Sequence, residues 1–401
     1  MTPATAVDTR TAEVRAAARA TYIAFIGAGF AMSSWGARIP QIRDGLALSP
    51  SRLGFVLLAM AAGSIVSLPL AGHIVTHVGS RRTVTAMAVL LGVSMTAVGI
   101  GYLFGVFPVV AGLAVLGFAN GAWDVAMNVQ GAEVERRLGR AIMPRFHAGF
   151  SVGTVAGALV GVAMVALRVP VTPHLIACGV LVAVAVIYSV RAFVPDHAAD
   201  GETLAGAGER GLRRTLAAWR EPRTLLIGLC VLTFAFTEGA GIDWISVSMI
   251  DGYRVPAAVS TLAYSLFLAA MTAGRWFGPA VLDRFGRVPV VRVLAAISVA
   301  GLALFIFGRH PAVAFAGTVF WGLGASLGFP VGMSAAADEP AKSAARVSVV
   351  ASIGYCAFLG GPPLVGFLGD HITTLRALVA VAVALLVAIA VAGSLRPLKP
   401  R

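Results

Sequence analysis

The sequence predicts an all-α integral membrane protein with twelve transmembrane helices in two repeats of six. Three observations predict this fold class: 58% of the 401 residues are hydrophobic, only 12% are charged, and the hydrophobic residues form runs of helix length. Soluble domains carry about a quarter charged residues, so this chain has too few for a surface that faces water. Disorder is excluded as well, because disordered chains are poor in apolar residues and rich in charge.

The apolar runs are each long enough to cross a membrane as a helix. About 20 residues span about 30 Å of hydrocarbon, where the backbone must satisfy its own hydrogen bonds. Continuous runs of this kind also differ from the alternating strands of about ten residues in a membrane β-barrel. The predicted spans are 20–40, 53–75, 83–105, 109–132, 144–167, 171–194, 224–249, 258–282, 288–308, 312–336, 345–369 and 375–396.

The first 20 residues are polar, carry several arginines and are predicted to be a cytoplasmic tail. The following run is too long for the core of a signal peptide and lacks a clean cleavage site, so we expect it to persist as the first span. With this tail in the cytoplasm, 23 of the 31 Lys and Arg residues fall on the cytoplasmic side. Because basic residues gather in cytoplasmic loops, both termini are predicted to face the cytoplasm, across a bacterial inner membrane.

A charged segment between the sixth and seventh spans divides the chain into halves that resemble each other. Gly79 matches Gly286 at an offset of 207, while Gly117 matches Gly322 at an offset of 205. Matching at a nearly constant offset indicates duplication, and six-helix repeats with a solute site between them are typical of secondary transporters. The predicted segments are an N-terminal bundle at 21–195, a cytoplasmic linker at 196–222, a C-terminal bundle at 223–396 and a tail at 397–401.

A glycine and arginine motif follows the second span of each half. The residues of its first copy are Gly72, Gly79, Arg81 and Arg82. Those of its second copy are Asp283, Arg284, Gly286 and Arg287. This motif resembles that of the major facilitator superfamily (MFS), and the resemblance covers essentially the whole chain after residue 20. It implies the MFS fold and transport by alternating access.

The first copy departs from the family pattern, because Thr76 stands where the family usually has Asp. In the family this Asp is thought to help latch the cytoplasmic side, so the resemblance implies a weaker latch here or one carried by Asp283. Within the superfamily, the stretches around Trp35, Trp123, His147 and Glu238 look most like the fucose-permease-like bacterial branch.

Ionisable residues within the spans are functional candidates, since each is costly in lipid unless it is paired or faces a wet cavity. Asp124 in span four has Asn120 and Asn128 one helical turn to either side, and Trp123 beside it. This spacing places the three polar side chains on one helix face. We expect Asp124 to carry protons and the three neighbours to bind solute; the alternative is a hydrogen-bonded contact between helices.

Span seven carries Glu238 near its middle and Asp243 toward its outer end. Glu238 is a second candidate proton carrier, because a buried carboxylate can be neutralised in one state and ionised in another. Asp243 corresponds to Arg38 at an offset of 205, so the two are predicted to form an outer gate. The alternative is that both are simply solvated at the rim.

Arg275 in span eight needs an anionic partner, because a guanidinium stays charged. Asp124, Glu238 or an anionic substrate are the three candidates, and Arg275 is assigned to substrate binding. His147 at the start of span five is a candidate for proton exchange, since its unperturbed pKa is about 6.5; a structural donor is the alternative. Trp35 and Tyr355 join Trp123 as candidate solute-stacking residues, although Trp and Tyr also favour membrane interfaces.

The sequence therefore predicts a secondary active transporter, with proton-coupled uptake of a sugar-like polar solute as the leading hypothesis. Proton-driven efflux of drugs or metabolites is the alternative, and a non-transporting membrane sensor is a remote one. No ATP-binding motif, metal-ligand cluster or nucleophile and base pair stands out, so no cofactor, no metal and no enzymatic activity are predicted. The expected partners are a small-molecule substrate, protons and membrane lipid, without nucleic acid, and the protein is expected to be a monomer.

Overall fold

The computed structural model describes residues 3–139, 142–196, 216–339 and 342–398. These residues are largely helical, and no strand occurs among them, so the all-α prediction is confirmed. Most of the predicted linker at 196–222 and the end of the predicted tail at 397–401 lie outside the described residues.

The described residues of the first half form seven α-helices. Short polar or Gly-containing turns separate most of them, and Gly79 and Gly105 adopt positive φ angles of 87° and 125° immediately before a helix. Glycine suits these turns because other residues are strained there. The helices are α1 Pro3–Gly36, α2 Ile39–Gly45, α3 Pro50–Val78, α4 Ser80–Gly101, α5 Val106–Leu138, α6 Met143–Ala166 and α7 Val171–Ser189.

The second half follows the same plan. Gly286, with φ of 78°, begins a helix at the position matching Gly79. The helices are α8 Pro222–Tyr253, α9 Ala257–Phe285, α10 Arg287–Phe307, α11 Pro311–Ala325, α12 Gly328–Ala336, α13 Ser343–Ile372, α14 Thr374–Ala377 and α15 Val379–Val391.

Eleven segments of the described chain are long and apolar enough to cross a membrane. The one predicted span missing from these eleven is the first, 20–40, most of which lies in α1; this helix packs against α5, α6 and α7. This helix begins at Pro3, well before the predicted start at residue 20, because the Ala-rich stretch ahead of the span also favours helix. Its residues Val14 and Ala17 are buried, so the stretch predicted as a tail continues the helix.

The tenth predicted span is broken. It consists of α11 and α12, which are separated at Ser326 and Leu327. The break frees backbone groups that an unbroken helix would have paired, and such interruptions are tolerated in membrane proteins where other groups satisfy them.

Glycines allow the helices to approach closely. A Cβ atom built at Gly153 would lie 2.1 Å from the carbonyl oxygen of Ile26, and one at Gly157 would lie 2.4 Å from that of Phe30. Glycines spaced four residues apart on α6 thus form a close helix contact with α1. We call this contact between α1 and α6 the glycine seam.

Contacts divide the chain into two compact units. The N-terminal unit is Met1–Ala47 with Ala59–Ala199, and the C-terminal unit is Leu48–Leu58 with Asp200–Arg401. The first turns of α3 therefore belong to the C-terminal unit. There, the backbone amide of Ser51 donates to the Asp370 carboxylate over 3.3 Å.

Candidate functional site

Asp124 lies on α5, where its carboxylate has an amide partner. Asn128 Nδ2 donates to the Asp124 backbone oxygen over 2.8 Å and to Asp124 Oδ1 over 3.3 Å. No cation pairs with Asp124 among the residues that the structure describes. Asp124, Asn120 and Asn128 are all half-buried. The N-terminal unit thus holds a carboxylate within a membrane helix whose charge is not compensated inside that unit.

The aromatic candidates differ in accessibility. Trp35 and Trp123 are almost completely buried, so in this structure their rings contact protein rather than an open cavity. Tyr355 is half-buried, with its ring 6.2 Å from that of Phe358. His147 is exposed at the start of α6, and its ring meets that of Phe25 edge-on at 5.1 Å. Their roles in solute binding and proton exchange stay predictions.

Glu238 and Arg275 form an ion pair inside the C-terminal unit. Arg275 Nη2 donates to Glu238 Oε1 over 2.9 Å and to Oε2 over 2.8 Å. The Glu238 side chain is 17% exposed and the Arg275 side chain is 28% exposed. Of the three candidate partners for Arg275, the structure therefore selects Glu238. Glu238 lies at the middle of α8 and Arg275 lies on α9, so two charges on neighbouring helices compensate each other where lipid would penalise either alone.

Arg275 also connects this ion pair to the broken helix. Its Nε donates to the backbone oxygen of Ser326 over 3.3 Å, at the break between α11 and α12. The guanidinium thereby satisfies a carbonyl that the break exposes. A change in the Glu238 side chain can thus reach the helix break through Arg275.

Arg38, predicted for an outer gate, is buried in the N-terminal unit with partners that the sequence did not indicate. Its Nε donates to His174 Nδ1 over 2.7 Å, and its Nη2 donates to the Val169 oxygen over 3.0 Å. Asp243 on α8 is half-buried and makes no hydrogen bond or ion pair with the described residues. The gate between Arg38 and Asp243 stays a prediction.

The first motif copy forms the turn between α3 and α4, and a distant carboxylate holds this turn. The backbone amide and the hydroxyl of Ser80 both donate to Asp196, at the end of the N-terminal unit. The anion thus satisfies the N-terminus of α4, where the helix dipole favours negative charge. Thr76 instead donates its hydroxyl to the Gly72 carbonyl, within its own helix.

The arginines of the first copy play no part in this contact. The side chains of Arg81 and Arg82 are exposed, and neither guanidinium makes a hydrogen bond or ion pair with the described residues. The nearby Glu133 on α5 is instead paired with Arg136 and Arg137, one turn further along the same helix.

The second copy uses its arginine differently. Arg287, at the start of α10, forms an ion pair of 2.7 Å with Asp338, which follows α12. Arg223 on α8 pairs with the other oxygen of Asp338 over 2.8 Å and also donates to the Arg396 backbone oxygen. Asp283, to which one of the two alternatives assigned the latch, is exposed, and its carboxylate has no partner among the described residues.

Sequence reasoning missed three of these groups. Asp196 was assigned to the linker, and His174 was hidden because a single buried histidine carries no pattern. Asp338 did carry a signal, since it matches Glu133 between the halves, but its two arginine partners come from distant helices.

Comparisons with known proteins agree with this architecture. The family model described as Major Facilitator Superfamily matches residues 21–356. The chain is 28% identical to an uncharacterized transporter, y4wD, of Sinorhizobium fredii, over 87% of this chain and 90% of that protein. It is also 28% identical to membrane protein MosC of Rhizobium meliloti, over 90% and 86%.

Solved structures share the fold at low identity. The nucleoside transporter NupG superimposes with a TM-score of 0.73 at 14% identity, covering 95% of this chain and 98% of that one. The E. coli fucose:proton symporter FucP gives 0.64 at 14%, covering 94% and 98%. A D-xylose-proton symporter gives 0.71 at 14%, covering 96% and 98%.

Proposed function

Because this chain belongs to the Major Facilitator Superfamily, we propose that it couples the uptake of a sugar-like polar solute to the entry of protons. It is a multi-pass membrane transporter of this family. The proposal concerns the coupling ion, the solute and the direction of transport. It includes an inner-membrane location with both termini in the cytoplasm, as the distribution of basic residues predicts.

The main support for this proposal is the environment of Asp124. Its carboxylate is half-buried in a membrane helix, with an amide partner and no cation among the described residues. Adding a proton to Asp124 removes a charge from this site without leaving an opposite charge unpaired inside the unit. Removing the proton restores the charge when the site is open to water, so the group can alternate between two states as a proton carrier must.

Glu238 has a second role in the proposal. Protonating it in the present arrangement would leave the Arg275 guanidinium without its anion, which is costly in a partly buried site. A polar solute that hydrogen-bonds Arg275 would replace the carboxylate as its partner. Solute binding and protonation of Glu238 would then favour each other.

Hydroxyl-rich solutes fit the polar groups available. Asn120 and Asn128 offer amide donors and acceptors, and the Glu238 and Arg275 pair offers both an anion and a cation. Structures of the same fold include symporters named for fucose and xylose and a nucleoside transporter, all carrying hydroxyl-rich solutes by their names. The proposal also assigns Arg38 and Asp243 to an outer gate, and His147 to proton exchange with the cytoplasm.

Transport in proteoliposomes tests the proposal. Under an acid-outside pH gradient, we expect accumulation of one solute from a panel of sugars and nucleosides. Asp124→Asn should abolish this accumulation while preserving exchange of labelled solute at equal concentrations, because exchange needs no net proton movement. The matched control is Glu13→Gln, which neutralises an exposed carboxylate on α1.

Three results would contradict the proposal. Gradient-driven accumulation by Asp124→Asn would place the proton carrier elsewhere. Movement of cationic dyes against the proton flow, without uptake of any polar solute, would establish the efflux alternative. Accumulation that does not depend on the pH gradient would exclude protons as the coupling ion.

A further inference from the structure

An apolar groove of about 500 Å³ runs along the surface of the C-terminal unit between α9, α10 and the broken segment of α11 and α12. Phe277, Phe285 and Val293 line it and are 69%, 58% and 57% exposed. The groove is deep between α9 and the broken segment because Gly274 and Gly278, which line it, have no side chains. A Cβ atom at Gly278 would lie 2.5 Å from a methyl carbon of Leu327.

The groove matches one leaflet of a membrane in length. Its lining on α9 extends from Ala273 to Phe285. At 1.5 Å per residue this stretch is about 18 Å long. Half of a hydrocarbon core of about 30 Å is about 15 Å, so the groove can hold an extended acyl chain along the depth of its leaflet.

A cation stands at one end of the groove. Arg284 is exposed, and its guanidinium carbon lies 5.2 Å from the centre of the Phe285 ring, which lines the groove. Among the described residues it makes no hydrogen bond and no ion pair. Its five N–H donors are thus available to an anion that approaches along the groove.

The surrounding charges favour an anionic partner. The acidic groups near this end are Asp283, beside Arg284, and Asp338, which is shared by Arg223 and Arg287. Three arginines, Arg223, Arg284 and Arg287, face these two carboxylates, so the end of the groove carries a net positive charge. Negatively charged headgroups are attracted to such clusters near the membrane surface.

We propose that this groove is a binding site for an anionic phospholipid. One acyl chain lies against the exposed aromatic and aliphatic side chains between α9 and α10. The phosphate accepts hydrogen bonds from Arg284, whose fork of donors matches phosphate oxygens. The site is separate from the proposed proton and solute residues and does not rest on their roles.

Native mass spectrometry of the full chain tests the site. The protein is reconstituted with equal amounts of phosphatidylglycerol and phosphatidylcholine, extracted in mild detergent, and the lipid retained per chain is measured. Wild-type protein should retain phosphatidylglycerol preferentially. Arg284→Gln, which removes a charge-assisted hydrogen bond, and Val293→Trp, which fills the groove, should each reduce its retention about tenfold.

Each variant has a matched control. Arg191 on the N-terminal unit is another exposed arginine, with its guanidinium 5.4 Å from the Tyr188 ring, so Arg191→Gln removes the same chemistry elsewhere. Leu386→Trp adds the same ring to an exposed position of α15 that does not line the groove. Both controls should retain lipid as the wild type does.

Several outcomes would overturn the proposal. Equal retention of the two lipids would exclude headgroup selection, and an equal loss in Arg191→Gln would indicate unspecific attraction to basic residues. Unchanged retention in both Arg284→Gln and Val293→Trp would show that lipid binds elsewhere. A dimer mass that Val293→Trp abolishes would identify a second copy of the chain as the occupant. The exposed Arg284 position keeps the test informative if the tryptophan variant folds poorly.

Discussion

The two units share one helix plan but hold their acidic residues in different ways. In the N-terminal unit, Glu133 is paired with arginines one turn away on its own helix. In the C-terminal unit, the matching Asp338 is paired with Arg223 and Arg287, which come from two other helices. The same acidic position therefore stabilises one helix locally in the first unit and ties three elements together in the second.

The carboxylates within the membrane helices show the same difference, with a partner on the same helix in the N-terminal unit and a partner on another helix in the C-terminal unit. Asp124 has an amide neighbour from its own helix, whereas Glu238 on α8 is joined to Arg275 on α9. Duplication thus conserved the backbone arrangement while the charges diverged. A matched ion pair therefore resists neutralisation, whereas an uncompensated carboxylate accepts a proton at smaller cost.

The greatest loss of stability should follow neutralisation of one member of the C-terminal ion pair. Glu238→Gln should lower the free energy of unfolding by about 3–5 kcal/mol, because Arg275 stays charged without its anion. Thermal unfolding in detergent measures the effect, and Asp124→Asn should be much less destabilising. The double variant Glu238→Gln with Arg275→Gln should recover most of the loss; a double variant as unstable as Glu238→Gln alone would argue against the pair.

Substitutions at the carboxylates that hold the two motif copies should cause smaller, unequal losses of stability. Asp338→Asn should destabilise the protein by about 1–2 kcal/mol, because two partly buried arginines lose their anion together. Asp196→Asn should cost about 1 kcal/mol, the usual contribution of a helix cap, since an amide oxygen can still accept from the Ser80 amide. Chemical or thermal unfolding of both variants tests this order, and a larger loss in Asp196→Asn would reverse our account of the two copies.

The smallest predicted effect is the pH dependence of stability that arises from Glu221, directly before α8. The hydrogen bond from Arg346 Nε holds the pKa of Glu221 below its usual value, so this contact needs the ionised carboxylate. Its contribution should be complete above the unfolded pKa of about 4.3 and should disappear as the pH falls through the lower folded pKa. We expect less than about 1 kcal/mol, because Arg346 keeps a second anionic partner, Glu339, when Glu221 is neutralised.

Thermal unfolding of the wild type and of Glu221→Gln measures this contribution as a function of pH. The difference between the two proteins should be constant from about pH 7 to about pH 5 and should shrink below about pH 4.3. A difference that grows on acidification would contradict the sign assigned here.

The fold was predictable because lipid imposes simple constraints on sequence. Long apolar runs in lipid must be helices, and basic loops indicate the orientation of these helices. The near-constant offset between matching glycines indicates the repeat. The break between Ala325 and Gly328 was not predictable in the same way. Gly328 and Pro330 favour a helix boundary there, but they do not identify the group that stabilises the break, because Arg275 is distant in the chain.

The candidate site was predictable only as a set of residue types. Asp124 and Asn128 are one turn apart, so their contact follows from helix geometry. The partner of Arg275 was one of three candidates until packing selected Glu238. The contact of Arg38 with His174 joins residues 136 positions apart, and no periodic pattern relates them.

The glycine seam has a consequence for how such a protein changes over evolution. Any side chain at Gly153 or Gly157 must displace a carbonyl of α1, so these positions have almost no freedom to vary. Asn128, in contrast, is half-buried and its amide contacts only its own helix turn. The contact between helices and the proposed solute-binding residue Asn128 therefore lie at separate positions, and selection can alter the second while leaving the first intact.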